Sequence, residues 1–118
     1  MTKLILVLLL SGCANRIYAV NDQINSYKYA ADKVDYMKTP TQFYADGGGD
    51  CEDFANAKKE ILGGELVMLQ RLFVQDNKLV THVVLKVDGF LLDNRTGHIK
   101  LASTVKTIPY NPKYNKES

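Results

Sequence analysis

The sequence predicts an α+β domain in which helices come first and an antiparallel β-meander follows. Three observations carry this expectation. Apolar residues recur at three- and four-residue spacing over 20–37 and again over 51–62, the period of a helix with one buried face. From residue 66 onward the chain turns rich in Val, Leu and Phe, in runs divided by Asp-Asn, Asp-Gly and Arg-Thr-Gly, which are strand and turn material. Asp88-Gly89, between two such runs, is the strongest hairpin signal in the chain and predicts a two-residue type I′ turn.

At 118 residues there is room for one domain, and 46% hydrophobic with 24% charged residues is a globular rather than a disordered composition. A formal charge of +2, with no cluster of Lys and Arg, argues against a phosphate-tracking face, so nucleic acid is not an expected partner.

The elements follow in order. Lys3 precedes an unbroken apolar run at 4–10, too short to span a bilayer, which ends in Leu10-Ser11-Gly12-Cys13. This reads as a signal peptide over 1–12, and its last four residues resemble the bacterial lipobox. That resemblance implies a lipidated Cys13, a tether over 13–19 and stable anchoring through several acyl chains. The expected location is the periplasm, attached to a membrane. Ala14, in place of the aspartate usually linked with inner-membrane retention, favours the outer one. With Cys13 acylated, Cys51 is the one remaining thiol, and a lone thiol in an oxidising compartment needs a task.

Val20, Ile24, Tyr27, Ala31 and Val34 predict a helix over 20–37, capped by Asn21 or Asp22 and stopped before Pro40. Residues 41–44 suit a short helical turn. The run Asp46-Gly47-Gly48-Gly49-Asp50 permits close backbone approach, and Cys51–Leu62 is a helix with Cys51, Phe54, Ala55, Lys58 and Leu62 on one side, ended by Gly63-Gly64. Strands are expected over 66–75, Lys78–Val87 and 90–94. Residues 106–111 suit an edge strand limited by Pro109 and Pro112. The domain proper is therefore 20–112, with a frayed tail over 113–118.

The chemistry-bearing residues fall into a pattern. Cys51 opens a helix, where unsatisfied amides and the helix dipole stabilise a thiolate, the nucleophilic form. Glu52 and Asp53 oppose that charge, so a positive neighbour is needed. A two-residue turn at Asp88-Gly89 sets Leu85 opposite Leu92 and Val84 opposite Asp93, which makes His82 and Asp93 diagonal neighbours on one face. Asn94 falls on the other face, and a one-residue slip would reverse the choice. Nucleophile, base and orienting carboxylate then follow in the order of papain-like chemistry: Cys51, His82, Asp93. The Cys51 backbone amide and Gln42 are candidate oxyanion donors. Arg95 faces His82 in this register, His98 follows a turn, and the tyrosines suit amphipathic packing.

The run Gly48-Gly49-Asp50-Cys51-Glu52-Asp53-Phe54-Ala55 resembles the bacterial transglutaminase-like cysteine proteinases, LapG-type periplasmic proteases. Val20-Asn21 and Thr39-Pro40 upstream, and Thr81-His82-Val83-Val84-Leu85 and Leu91-Leu92-Asp93-Asn94 downstream, are similar to the family's other motifs, so the resemblance covers 20–111. It implies a transglutaminase-like, papain-like minimal core with the nucleophile helix packed on the meander. It also implies proteolysis of a surface adhesin near its membrane-retained end, and calcium dependence with Asp50 and Glu52, together with Asp53, as ligands. Oxygen donors suit that ion; the same residues also suit a helix cap. The chain departs from the family in lacking tryptophan and in carrying a lipobox. A monomer acting on a protein substrate is expected. The alternatives are a transglutaminase or amidase using the same triad, and a binding lipoprotein without catalysis.

Overall fold

The computed structural model describes residues 13–30, 37–73, 78–95, 97 and 99–111. Helix α1 spans Cys13–Asn25. It begins well before the expected start at 20, so the segment read as a tether is helical. The reason is a buried stripe: Ile17, Val20, Asn21 and Ile24 recur at helical spacing and are each 2% exposed or less. Asn21 and Asp22 therefore lie inside the helix rather than capping it. The expected continuation to residue 37 fails at Asn25, where the chain turns into the short strand β1, Lys28–Tyr29. The leader at 1–12, residues 31–36 of the expected helix, and the tail at 113–118 lie outside the described residues.

Helix α2, Pro40–Asp46, shows why Thr39-Pro40 is a helix start rather than only a stop. The Thr39 hydroxyl accepts from the Gln42 amide, Pro40 takes the first turn, and Gly47 closes the helix in the left-handed conformation at φ 79°. Strand β2, Gly48–Gly49, then pairs parallel with β1, Lys28 with Gly48 and Tyr29 with Gly49. Two-residue strands carry no periodicity, and the sequence gives no sign of this bridge. Gly48 sits at φ 149°, and a Cβ there would lie 1.8 Å from the Lys28 carbonyl oxygen.

Helix α3, Cys51–Leu62, keeps its expected bounds. Strands β3 (Glu65–Phe73), β4 (Lys78–Val87), β5 (Phe90–Leu92), β6 (Lys100–Leu101) and β7 (Ile108–Pro109) form one antiparallel sheet in the order β6-β5-β4-β3-β7. Asp88 at φ 51° and Gly89 at φ 82° make the left-handed pair of a type I′ turn. The ladder runs Val87 to Phe90, Lys86 to Leu91 and Leu85 to Leu92, the counted register. Strand β5 stops at Leu92, earlier than the expected 94, and the expected edge strand over 106–111 shrinks to two residues, with Pro109 at the sheet edge. A short 3-10 turn, Ala102–Thr104, follows β6.

Helix α3 lies between two buried groups. One side meets the sheet: Cys51 and Ala55 cluster with Met68, Val83, Leu85 and Leu92, joined by Ile17 of α1. The other meets α1 and α2: Phe54 and Ala57 cluster with Val20, Ile24 and Phe43, the Phe43 and Phe54 rings standing edge to face at 5.0 Å. The far face of the sheet buries Val67, Leu69, Val84 and Leu91 against Ala102 and Val105.

Because β2 leads straight into α3, the β1–β2 bridge anchors the approach to Cys51. Gly48→Ala is expected to cost at least about 1 kcal/mol, since both the clash and the positive φ oppose a side chain. Urea unfolding measures this, and an unchanged midpoint would refute the constraint.

Candidate functional site

The site is built on the start of α3. Asp50 is the N-cap: its Oδ1 accepts from the Asp53 amide at 3.2 Å, and Asp53 Oδ2 accepts from the Asp50 amide at 3.0 Å. This reciprocal capping box sets the first helical residue at Cys51. Asp53 Oδ1 accepts a further bond, from the Lys38 amide at 2.7 Å, and the Lys38 ammonium meets the Gly48 carbonyl at 3.0 Å and Asp46 at 3.1 Å. Lys38 thereby ties the chain before α2 to the glycine turn. A Cβ on Gly49 would meet Asp53 Oδ2 at 2.4 Å, so the turn needs a glycine where it passes the cap.

Cys51 is a thiol and not half of a disulfide. It is 1% exposed and packs in the apolar cluster with Met68 and Val83. Val83 is the chain neighbour of His82, which is also 1% exposed. His82 Nε2 lies 2.6 Å from Asp93 Oδ1, the contact that the counted register predicted. Asp93 stands one residue past the β5 ladder, and Oδ1 also accepts from the Arg95 amide at 3.0 Å. Arg95 thus reaches the pair through its backbone.

Strand alternation groups His82 with Val84 rather than with Val83, yet its partner Asp93 is tied to the helix layer. The Asn25 side-chain amide of α1 donates to the Asp93 carbonyl at 2.9 Å. Lys58 of α3 feels the Asp93 charge. Asp93, just past the end of β5, is therefore tied to α1, and its charge reaches α3.

Lys58 is fully buried, and its ammonium has no hydrogen-bond partner among the described residues. Burial pushes it down to about 7, against the pull of Asp93 and then Asp22. The sequence placed Lys58 on the inner side of α3, seven residues from Cys51, but gave it no role. A lysine on an apolar stripe was the available signal. Asn25, Lys38 and Tyr110 carry no such signal: the bonds that tie Asn25 to Asp93, Lys38 to Asp53 and Tyr110 to Glu52 span 68, 15 and 58 residues, and no local pattern marks them.

Asp50, Glu52 and Asp53 are all buried, and one ligand atom from each falls within 4.8 Å of the others. Hard carboxylate oxygens so placed fit a calcium ion. Both Asp53 oxygens accept backbone amides, and the Tyr110 hydroxyl donates to Glu52 Oε2. Gln42 is exposed in the first turn of α2, where its backbone amide is held by Thr39. His98 lies outside the described residues. Tyr27 packs against Phe43 and Tyr44, as amphipathic packing predicts.

Residues 7–111 match the bacterial transglutaminase-like cysteine proteinase family, BTLCP. The match starts upstream of Cys13, inside the segment read as a leader. Among solved structures, Legionella pneumophila LapG is similar with 28% identity and a TM-score of 0.66, over 86% of this chain and 67% of that one. Its calcium-bound form gives 26% identity and a TM-score of 0.62, over 83% and 64%. Its EGTA-treated form gives 28% and 0.63, over 86% and 65%. The chain thus spans about two thirds of the length of these structures. No curated protein matches.

The Lys58 environment has a pH signature. The folded protein binds fewer protons than the unfolded chain between about 7 and the ordinary lysine value of 10.5. Stability from this group therefore rises with pH across that window, and its full cost is present below it. Lys58→Met, close in volume and uncharged, is expected to raise Tm by about 4 °C or more at pH 6, with the gap closing towards pH 10. Thermal unfolding across that range measures it; a lower Tm at pH 6 would contradict the cost of the buried cation.

Proposed function

This chain belongs to the bacterial transglutaminase-like cysteine proteinases, and on that premise we propose that it is an exported, lipid-anchored peptidase working through Cys51, His82 and Asp93. The observation that carries the reading is the 2.6 Å contact of His82 Nε2, in the middle of β4, with Asp93, one residue past β5, in the sheet on which the Cys51 helix packs. The approach of the sulfur to the imidazole is the step this reading adds.

With Nε2 held by Asp93, Nδ1 is the ring nitrogen that takes the Cys51 proton. The thiolate attacks a substrate carbonyl carbon and a C–S bond forms. The oxyanion is met by the Cys51 backbone amide, with Gln42 a second donor. The imidazolium protonates the leaving amine as the C–N bond breaks, leaving a thioester. Water, deprotonated by His82, then attacks the thioester and restores the thiol. Asp93 keeps the ring oriented and balances its charge throughout.

Asp50 and Glu52, with Asp53, would hold a calcium ion; the similar LapG structures include a calcium-bound form. When bound, that ion supplies positive charge that offsets the acidic flank of the thiol. The family resemblance makes a surface adhesin, cut near its membrane-retained end, the proposed substrate. Cys13 is the proposed lipid site, holding the enzyme at the periplasmic side of the outer membrane.

Cys51→Ala is expected to abolish hydrolysis, and His82→Ala and Asp93→Ala each to lower kcat by about 100-fold or more, with folding retained by circular dichroism. Retained activity in Cys51→Ala would reject the mechanism. Calcium at a hundredfold excess over its Kd is expected to stabilise the purified protein by about 2.7 kcal/mol. Asp50→Asn combined with Glu52→Gln should lose that response in thermal unfolding. A melting curve indifferent to both calcium and EGTA would remove the metal from the reading.

A further inference from the structure

Behind the His–Asp pair lies a polar seam that the hydrolytic steps do not use. It runs between α1, α3 and the end of β5. Asn21 and Lys58 are fully buried within it. The Lys58 ammonium, Asn21 Nδ2 and Asn94 Oδ1 are buried with no hydrogen-bond partner among the described residues. Asn25 stitches the seam together, donating to Asn21 Oδ1 at 3.4 Å and to the Asp93 carbonyl at 2.9 Å.

A lysine that only filled space here would be a poor choice. A methionine of similar volume would fill it without the cost of a desolvated cation. What the lysine adds is charge at one address. Among the described residues the charges that reach it are Asp93, from beyond β5, and Asp22, from α1, and Asp93 is the stronger. Asp93 in turn meets His82. Through Asp93 the charge of Lys58 is thus coupled to the imidazole, and Lys58 lies on the same side of α3 as Cys51.

We propose that Lys58 is a positioning residue of the triad: its ammonium shares the charge of Asp93, and so sets how strongly Asp93 holds the proton of His82. The proposal deepens the triad reading and rests on it. A cation beside Asp93 keeps that group a carboxylate while weakening its hold on an imidazolium, which leaves His82 able to hand its proton to the leaving amine. Burial lowers Lys58 to about 7, so its charge changes in the range where a histidine works. As Lys58 loses its proton, the full charge of Asp93 falls on His82.

The test is an imidazole titration by NMR on the full chain, with His82 and His98 assigned separately. Lys58→Met is expected to move the His82 midpoint upward by about one unit, because the sharing cation is gone. A packing role alone would leave that midpoint where it is, whatever the substitution does to stability. An unmoved or lowered midpoint overturns the proposal. Should Lys58→Met fail to fold, the unsubstituted protein decides: the Lys58 Cε resonance titrates near neutral pH and the His82 resonances inflect with it, or they do not and the proposal falls. Failure of the underlying reading looks different, as hydrolysis surviving in Cys51→Ala whatever the His82 curve shows.

Discussion

The two carboxylates that cap each other across the first turn of α3 decide where everything else can be. Asp50 and Asp53 exchange side-chain-to-amide bonds, and this reciprocity fixes the residue at which the helix begins. A start one residue later would carry Cys51 out of the helix and away from the amides of its first turn. The cap also needs the chain to pass closely, and the glycines before it allow that. The Lys38 amide then donates to the other oxygen of Asp53, so the segment leading into α2 is set by the same carboxylate.

The cap has a cost that shapes its surroundings. Three carboxylates are buried within one turn, beside a thiol whose reactive form is also an anion. Tyr110 donates to Glu52 from the far edge of the sheet. Two turns further along α3 the sign reverses: Lys58 is buried there and feels the charge of Asp93. One short helix thus carries negative charge at its tip and positive charge two turns down, each of which a pure packing design would avoid. Sites that do chemistry are where such departures concentrate, and the rest of the core compensates with ordinary apolar contacts.

Much of this was legible in the residues. The bounds of α3 followed from Cys51 to Leu62 because a capping residue, an apolar stripe and Gly63-Gly64 all agree. The hairpin register followed from Asp88-Gly89, because a type I′ turn leaves the strands no choice of pairing, and the His82–Asp93 contact came with it. What failed, failed for stated reasons. Helix α1 starts earlier than expected because Ile17, in the segment expected to be a tether, completes the buried stripe with Val20 and Ile24. The β1–β2 bridge was invisible because two residues make no period. The roles of Lys38 and Tyr110 depend on partners brought in by tertiary packing, and nothing next to them in the chain announces that.

Helix α1 bears on where such an enzyme could act. Ile17 is locked in the core only four residues after Cys13, a helical rise of about 6 Å. A fatty anchor at Cys13 would then come with almost no leash. The domain would ride against the leaflet like a boat moored hard to a quay, reaching scissile bonds that emerge beside the lipid headgroups and none that stand further out.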